Sequence, residues 1–175
     1  MNETATINDS LCDAMNSAVA DVAKNAFHWE TTRLVRLNEL NELNELNELN
    51  ELTDSTDSTD STDWIHAFLG SPGDLEFGII ANVSHAIQIA RAMLYKNEDD
   101  ELTDATLRDV FGELGNMLAG RFKKYLTPKH SSAFVLKVPR VAVGTSPNLS
   151  SFEINTCNFG PTEMHFLISD EWRIL

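Results

Sequence analysis

Residues 109–120 read Asp-Val-Phe-Gly-Glu-Leu-Gly-Asn-Met-Leu-Ala-Gly, and they predict a long amphipathic helix around which the rest of the chain can be arranged. At about 100° per residue, the apolar side chains in and around this stretch fall within a stripe about 120° wide, the width of a core-facing seam. The members of the stripe are Leu107, Val110, Phe111, Leu114, Leu118, Phe122 and Tyr125. Glu113 and Asn116 fall on the opposite side. Because they are three residues apart on a helix, their side chains lie next to each other on its surface.

Glycine residues flank this polar pair. Gly112 and Gly120 lie close to Glu113 and Asn116 on the helix surface, so we expect no bulky neighbour to cover them. Each glycine in a helix interior costs about 1 kcal/mol relative to alanine, and asparagine is mildly unfavourable there. A sequence that keeps three such residues indicates a candidate functional face. Glu and Asn are also common on solvated helix surfaces, so surface decoration stays open as an alternative.

Length and composition predict a single cytoplasmic domain. A chain of 175 residues is long enough to bury one proper core. Cys12 and Cys157 show no pairing framework, which fits a reducing compartment. We expect no signal peptide and no membrane span, because the N-terminal residues lack a basic segment with an apolar run and no stretch reaches about eighteen apolar residues. The net charge of −14 argues against nucleic acid as a partner.

Residues 38–63 form a low-complexity block of five Asn-Glu-Leu copies, three Thr-Asp-Ser copies and a closing Thr-Asp. The block holds nine acidic residues and no basic residue. A period of three residues matches neither the 3.6-residue period of an α-helix nor the two-residue period of a strand. We therefore interpret residues 38–63 as an insertion in a strand–strand loop of a domain that spans residues 1–175.

The remaining patterns predict three helices and six strands. The helices are expected at about 10–27, from Ser84 as the cap to about Lys96, and from Thr103 as the cap to about Tyr125. The strands are expected at 29–37, 64–69, 75–81, 133–143, 150–157 and 163–169, with a turn at 71–74. The order is αβββααβββ. Strands joined by short turns imply an antiparallel sheet, and the long helices are expected to pack on one face of it, which is an α+β fold.

This order contains a weak internal duplication. Asp13-Ala-Met-Asn16 aligns with Glu113-Leu-Gly-Asn116, and each tetrapeptide lies on a helix that leads into three strands. Asp13 falls opposite the apolar stripe of its own helix, as Glu113 does. The pattern predicts pseudo-duplicated halves, with a chance coincidence of common helix residues as the alternative.

Three segments together resemble the CheC/CheX/FliY family of chemotaxis phosphatases. The Glu-x-x-Asn pattern at 113–116, followed by Met-Leu-Ala-Gly at 117–120, is similar to the family's signature helix. Residues 70–78 and 86–94 resemble its glycine-rich hairpin and second helix, and residues 138–144 resemble the strand after the signature helix. The single well-formed motif and the chain length are closer to the CheX branch of the family. The resemblance therefore implies the CheC-like fold of the family, in a single CheX-like domain.

The resemblance implies a function and a site. Members of the family dephosphorylate CheY-type response regulators, in which the phosphoryl group sits on an aspartate beside a divalent metal such as Mg²⁺. By this resemblance Glu113 and Asn116 are the catalytic pair: Asn116 orients the attacking water, and Glu113 anchors the complex through the regulator's active-site lysine. The regulator supplies the metal, so the chain is expected to bind no metal and no cofactor of its own. The CheX branch forms dimers, which makes a homodimer an expectation.

Other chemistry receives little support from the sequence. The five histidines show no metal-ligand spacing; they are His28, His66, His85, His130 and His165. The basic residues at 121, 123 and 124 follow the motif and either guide an acidic receiver surface or form a solvated helix end. The alternative to a phosphatase is a non-catalytic binding or dimerisation module of a signalling pathway.

Overall fold

The computed structural model of the protein describes residues 3–36, 64–70, 75–144 and 147–174. In these residues one six-stranded antiparallel sheet is covered on one face by helices, which confirms the α+β class. The helices are α1 (Glu3–Val22, continued by a π-helical turn, Ala23–Phe27), α2 (Val83–Leu94), α3 (Asp104–Tyr125) and α4 (Pro128–Ala133), and a 3₁₀ turn spans Asp170–Ile174. The strands are β1 (Val35–Arg36), β2 (Trp64–Leu69), β3 (Phe77–Asn82), β4 (Arg140–Val143), β5 (Phe152–Phe159) and β6 (Thr162–Ser169). None of the described helices is long and apolar enough to span a membrane.

The strand order is β1-β5-β6-β3-β2-β4. Exchanging the first three strands with the last three reproduces the same order from the opposite edge, so the sheet has the pseudo-twofold symmetry expected of duplicated halves. Alternating residues of the central strands, such as Ile79 and Phe166, join the main core beneath the helices. The opposite face carries a smaller apolar cluster that includes Ile80, Ile154 and Leu167.

The helix that carries Glu113 and Asn116 begins and ends as predicted. The Thr103 side chain accepts a hydrogen bond from the Thr106 N–H at 3.2 Å, which satisfies one of the unpaired donors of the first turn. The predicted apolar stripe is buried as far as Phe122. Tyr125 was wrongly included, because it is 41% exposed and its hydroxyl donates to Asp21 Oδ2 at 3.2 Å.

Several predicted element bounds are wrong. Of the strand predicted at 29–37, the described residues 29–36 form only β1, preceded by one isolated bridge between Thr31 and Phe159. The cap of α2 is Asn82, whose Oδ1 accepts from the Ser84 N–H at 2.8 Å, so Ser84 itself is not the cap. The predicted turn at 71–74 and the repeat block at 38–63 lie outside the described residues.

The strand predicted at 133–143 is present only in its last part. The structure has the short helix α4 up to Ala133, an extended non-strand segment, and β4 from Arg140. Phe134 is fully buried and packs against Trp172 with ring centroids 5.1 Å apart. Phe134 therefore anchors the start of the segment in the core, and the chain joins the sheet only after Pro139, which has no N–H to donate to a ladder.

The strand order sets a lower limit on the length of the β1–β2 connection. The two strands run parallel with β5, β6 and β3 between them. Four strand spacings place them about 19 Å apart in the hydrogen-bonding direction. Collapsing the repeats to one Asn-Glu-Leu and one Thr-Asp-Ser would leave about nine residues, which reach roughly 30 Å at full extension. A chain that must pass around three strands needs most of that reach.

Shortening the block should therefore be tolerated in part. A variant that keeps three Asn-Glu-Leu and two Thr-Asp-Ser copies should unfold in urea with the wild-type midpoint, because changing surface loop length alters stability only modestly, by about 0.6 kcal/mol per doubling. Full collapse to single copies should lower the midpoint clearly. A loss of stability already in the first variant would contradict the interpretation of residues 38–63 as an insertion.

Candidate functional site

Glu113 and Asn116 are both exposed on the outer face of α3. The residues between and after them, Leu114, Gly115 and Leu118, are buried against the sheet, so the helix cannot rotate to hide the pair without exposing its core face. In the described part of the chain, neither the Glu113 carboxylate nor the Asn116 carboxamide makes a hydrogen bond or an ion pair. The two groups are therefore available to a molecule that approaches this face.

The pair borders an open groove with a volume of about 380 Å³. The groove is lined by Arg108, Asp109, Gly112, Glu113, Asn116, Pro139 and Val141. One wall is the exposed surface of α3, and the other is the start of β4. The Arg108 guanidinium joins the two walls by donating to the Val141 carbonyl at 3.5 Å. A carboxylate and a carboxamide thus lie in a recess whose far side is apolar.

Gly112 and Gly120 were both expected to leave the polar pair uncovered, but the structure gives them different roles. Gly112 is buried, and a Cβ there would lie 3.3 Å from Val141 Cγ2. It therefore lets β4 approach the helix and form the far wall of the groove. Gly120 has nothing within 4 Å of a Cβ position, so only that glycine leaves the helix surface open.

Four groove residues were not identified from the sequence. Arg108 and Asp109 precede Asn116 and Glu113 by eight and four residues, so helical spacing places them on the same face and could have found them. Pro139 and Val141 come from the other side of the groove. Only the tertiary packing of β4 against Gly112 brings them there.

The corresponding pair on α1 is not available in the same way. Asn16 donates from Nδ2 to the Cys12 carbonyl at 2.9 Å and accepts at Oδ1 from the Leu34 N–H at 2.7 Å. The Asp13 carboxylate lies 3.5 Å from the Arg33 guanidinium. The Asn16 carboxamide therefore fastens the segment before β1 to α1, and the duplication of the fold does not extend to a second open site.

The basic residues after the motif are mostly engaged within the chain. Arg121 forms an ion pair with Asp21 at 3.4 Å, and Lys123 Nζ donates to the Phe134 carbonyl at 2.5 Å. Lys124 Nζ lies 5.4 Å from the centroid of the Tyr125 ring. These contacts tie α3 to α1 and to the segment after α4, so a steering role is left mainly to Lys124.

The described residues contain no group of three or more His, Cys, Asp or Glu side chains arranged to hold a metal ion. Burial lowers the pKa of the His165 imidazole. It packs beside Trp64 on the sheet, away from the groove. That the chain binds no metal of its own stays a prediction.

Comparisons with known proteins agree with the resemblance seen in the sequence. Residues 65–157 match the model of the family described as chemotaxis phosphatase CheX. No curated protein matches the sequence at a significant level. Among solved structures, the chemotaxis protein CheX from Vibrio vulnificus is 16% identical, with 91% of this chain and 97% of that chain covered and a TM-score of 0.59.

Two further structures share the fold. FliY from Thermotoga maritima is 14% identical, covers 98% of this chain and 92% of its own, and has a TM-score of 0.63. The CheX–CheY–BeF₃–Mg²⁺ complex from Borrelia burgdorferi contains a chain that is 17% identical, with 90% of this chain and 95% of that chain covered and a TM-score of 0.54. At these identities the structural likeness establishes the fold.

The different states of the two asparagines lead to a stability prediction. Asn16→Ala should lower the free energy of unfolding by about 1–3 kcal/mol, because it removes the acceptor of the Leu34 N–H from a partly buried position. Asn116→Ala should leave stability within about 0.5 kcal/mol of the wild type, as expected for an exposed substitution. Urea denaturation of both variants measures the difference. Equal losses of stability at the two positions would contradict a structural role of the Asn16 side chain in holding the segment before β1 against α1.

Proposed function

The chain belongs to the CheX family, and we propose that it accelerates the dephosphorylation of a phospho-aspartyl CheY-type response regulator. The observation that supports this proposal is the state of Glu113 and Asn116. Both are exposed side by side at a groove, on a helix whose opposite face packs in the core. Within the described residues, neither side chain makes a hydrogen bond or an ion pair. The proposal includes a homodimer, which the family resemblance implies, and the cytoplasmic location expected from the composition of the chain.

Asn116 would position the water that attacks the phosphorus atom. In this reaction the water oxygen forms a bond to phosphorus, the bond between phosphorus and the aspartyl oxygen breaks, and inorganic phosphate and the free carboxylate result. Phosphoryl transfer needs little covalent help from the protein, so holding the water in line is a real source of rate. A carboxamide can accept a hydrogen bond from the water and donate one to another oxygen. It also carries no charge that would repel the phosphoryl group.

Glu113 would hold the receiver in place by pairing with its active-site lysine. An exposed ion pair contributes little, because water screens both charges. A pair that is enclosed at an interface can contribute much more to association. The groove supplies part of such an enclosure through Pro139, which directly precedes β4, and Val141 on β4; both line the groove with the polar pair. The receiver would bring the divalent metal that neutralises charge on the phosphoryl group.

A non-catalytic binding or dimerisation module is the second candidate function. It is favoured by the large apolar side chains that lie exposed after α4, of which Val138 is 86% exposed. Both functions need an accessible surface near α3. Only the phosphatase needs the carboxamide of Asn116, and this requirement separates the two.

Substitution of Asn116 tests the catalytic assignment. Asn116→Ala should slow phosphate release from a phosphorylated receiver by about 10²-fold or more, because the water loses its orienting group. Asn116→Asp keeps the size but places a negative charge beside the phosphoryl group, so it should be equally slow. Gln88→Ala is the matched control, since it removes an exposed carboxamide from α2. Phosphate release is measured with the metal present and the protein in excess over the receiver. A wild-type rate in Asn116→Ala would overturn the catalytic role.

Substitution of Glu113 tests the anchoring role separately. Glu113→Ala should raise the Kd for the receiver by about tenfold or more, with a smaller effect on the rate at saturation. Glu113→Lys should weaken binding further because it places like charges together. Glu30→Lys makes the same change in net charge at an exposed position outside the groove and should bind as the wild type does. Fluorescence anisotropy with a labelled receiver gives the Kd values, and equal binding by Glu113→Lys and Glu30→Lys would refute the anchor.

A further inference from the structure

We propose that Val135, Leu136 and Val138, named here the apolar ridge, form the surface on which the phosphorylated receiver docks beside the Glu113/Asn116 groove. The inference rests on the proposed function and adds to it an apolar surface beside the groove that contacts the receiver. The exposed fractions of the three side chains are 59%, 40% and 86%. Single apolar residues on a surface are ordinary, but three within four residues concentrate exposed apolar side chains on one short segment, which favours an interaction site there.

The apolar ridge is held firmly at both ends. At its start Phe134 is fully buried against Phe122 and Trp172, and its N–H donates to the His130 carbonyl at 3.0 Å. At its end Arg140 pairs with Glu76 and donates to the Gly70 carbonyl at 2.9 Å. A segment anchored in this way presents its side chains at a small cost in conformational entropy, which favours binding.

The contacts of the two ends place the ridge alongside the candidate site. The Phe134 carbonyl is bound by Lys123, near the end of α3, whereas Pro139 lies against Gly112, three turns earlier. The residues between them therefore run antiparallel to α3 and pass the level of Asn116. Pro139, which directly follows Val138, belongs to the wall of the groove itself, so the ridge leads into the groove along the chain.

This continuity identifies the occupant. A receiver that brings its phosphoryl group to Asn116 and its lysine to Glu113 must also cover the residues beside them. The polar pair alone gives a small, solvated contact, and apolar contacts around a charged pair exclude the water that would weaken it. The ridge lies where such contacts are needed. The docking partner is therefore the same receiver domain, and a second copy of this chain is an alternative occupant that the experiment distinguishes.

The test uses the double variant Val135→Ser/Val138→Ser in the full chain. The control is Val35→Ser, which removes a similarly exposed valine, 63% accessible, from β1 at the opposite edge of the sheet. We expect the double variant to raise the Kd for a beryllofluoride-activated CheY-type receiver by about tenfold, and to raise the receiver concentration for half-maximal phosphate release in parallel. Val35→Ser should bind with the wild-type Kd. Circular dichroism and sedimentation equilibrium are measured on every variant.

The outcomes separate this inference from the proposed function. If the double variant binds the receiver with the wild-type Kd while wild-type protein still accelerates phosphate loss, the ridge is not the docking surface and the phosphatase proposal stands. If the wild-type protein is a dimer, and the double variant is a monomer that binds the receiver with the wild-type Kd, the ridge binds a second copy of the chain. That result would overturn our inference. If wild-type protein binds the receiver but does not accelerate phosphate loss, the proposed function fails. In that case a higher Kd of the double variant for the receiver would still support the docking surface.

Discussion

The close approach of α3 to the sheet is the constraint on which the rest of the structure depends. Gly115 lies over β2, where a Cβ would come within 3.1 Å of Leu69 Cδ1 and 3.5 Å of Ala67 Cβ. Gly112 makes the same kind of approach to Val141 on β4. The two missing side chains let one helix face pack directly on two neighbouring strands. The opposite face is then fixed toward solvent, and that face carries Glu113 and Asn116. The cost of glycine in a helix, about 1 kcal/mol per residue, is offset by this packing.

The two halves of the fold use equivalent positions for different purposes. Leu34 and Phe134 both lie between a long helix and the next strand of the sheet, and both are buried. In the first half the Leu34 N–H is bound by the Asn16 carboxamide. In the second half Phe134 packs against the rings of Phe122 and Trp172, and its carbonyl accepts a hydrogen bond from Lys123. The segment after α3 is therefore held without a hydrogen bond from Asn116. The same residue type is therefore structural on α1 and exposed on α3. This difference could not be read from the sequence, because the two tetrapeptides look alike.

The elements that were predicted correctly are those whose signals are local. Helix α3 was found because its cap, its apolar period and its length agree, and β2 was found with its observed bounds. The segment before β4 was misjudged because its β-branched residues favour a strand, while the decisive contact is the burial of Phe134 beneath Trp172, far along the chain. Helical spacing placed Glu113 and Asn116 side by side on one face, and the family resemblance identified them as the candidate site. The opposite wall of the groove did not, since Pro139 and Val141 reach α3 only through tertiary packing.

The charges in the groove restrict which residue can face a phosphoryl group. Asp109 and Glu113 are both carboxylates, and Arg108 is directed at the Val141 carbonyl. A phosphoryl group placed against the carboxylates would be repelled, and the repulsion would grow as the partner excluded water, because charges interact more strongly at lower dielectric. Among the uncharged and acidic side chains of the groove, the neutral carboxamide of Asn116 is the polar group that tolerates an anion at close range, and the Arg108 guanidinium adds positive charge nearby. Glu113 favours a cation. The proposed partner, a phosphorylated receiver with an anionic centre and a basic side chain close together, would match this arrangement.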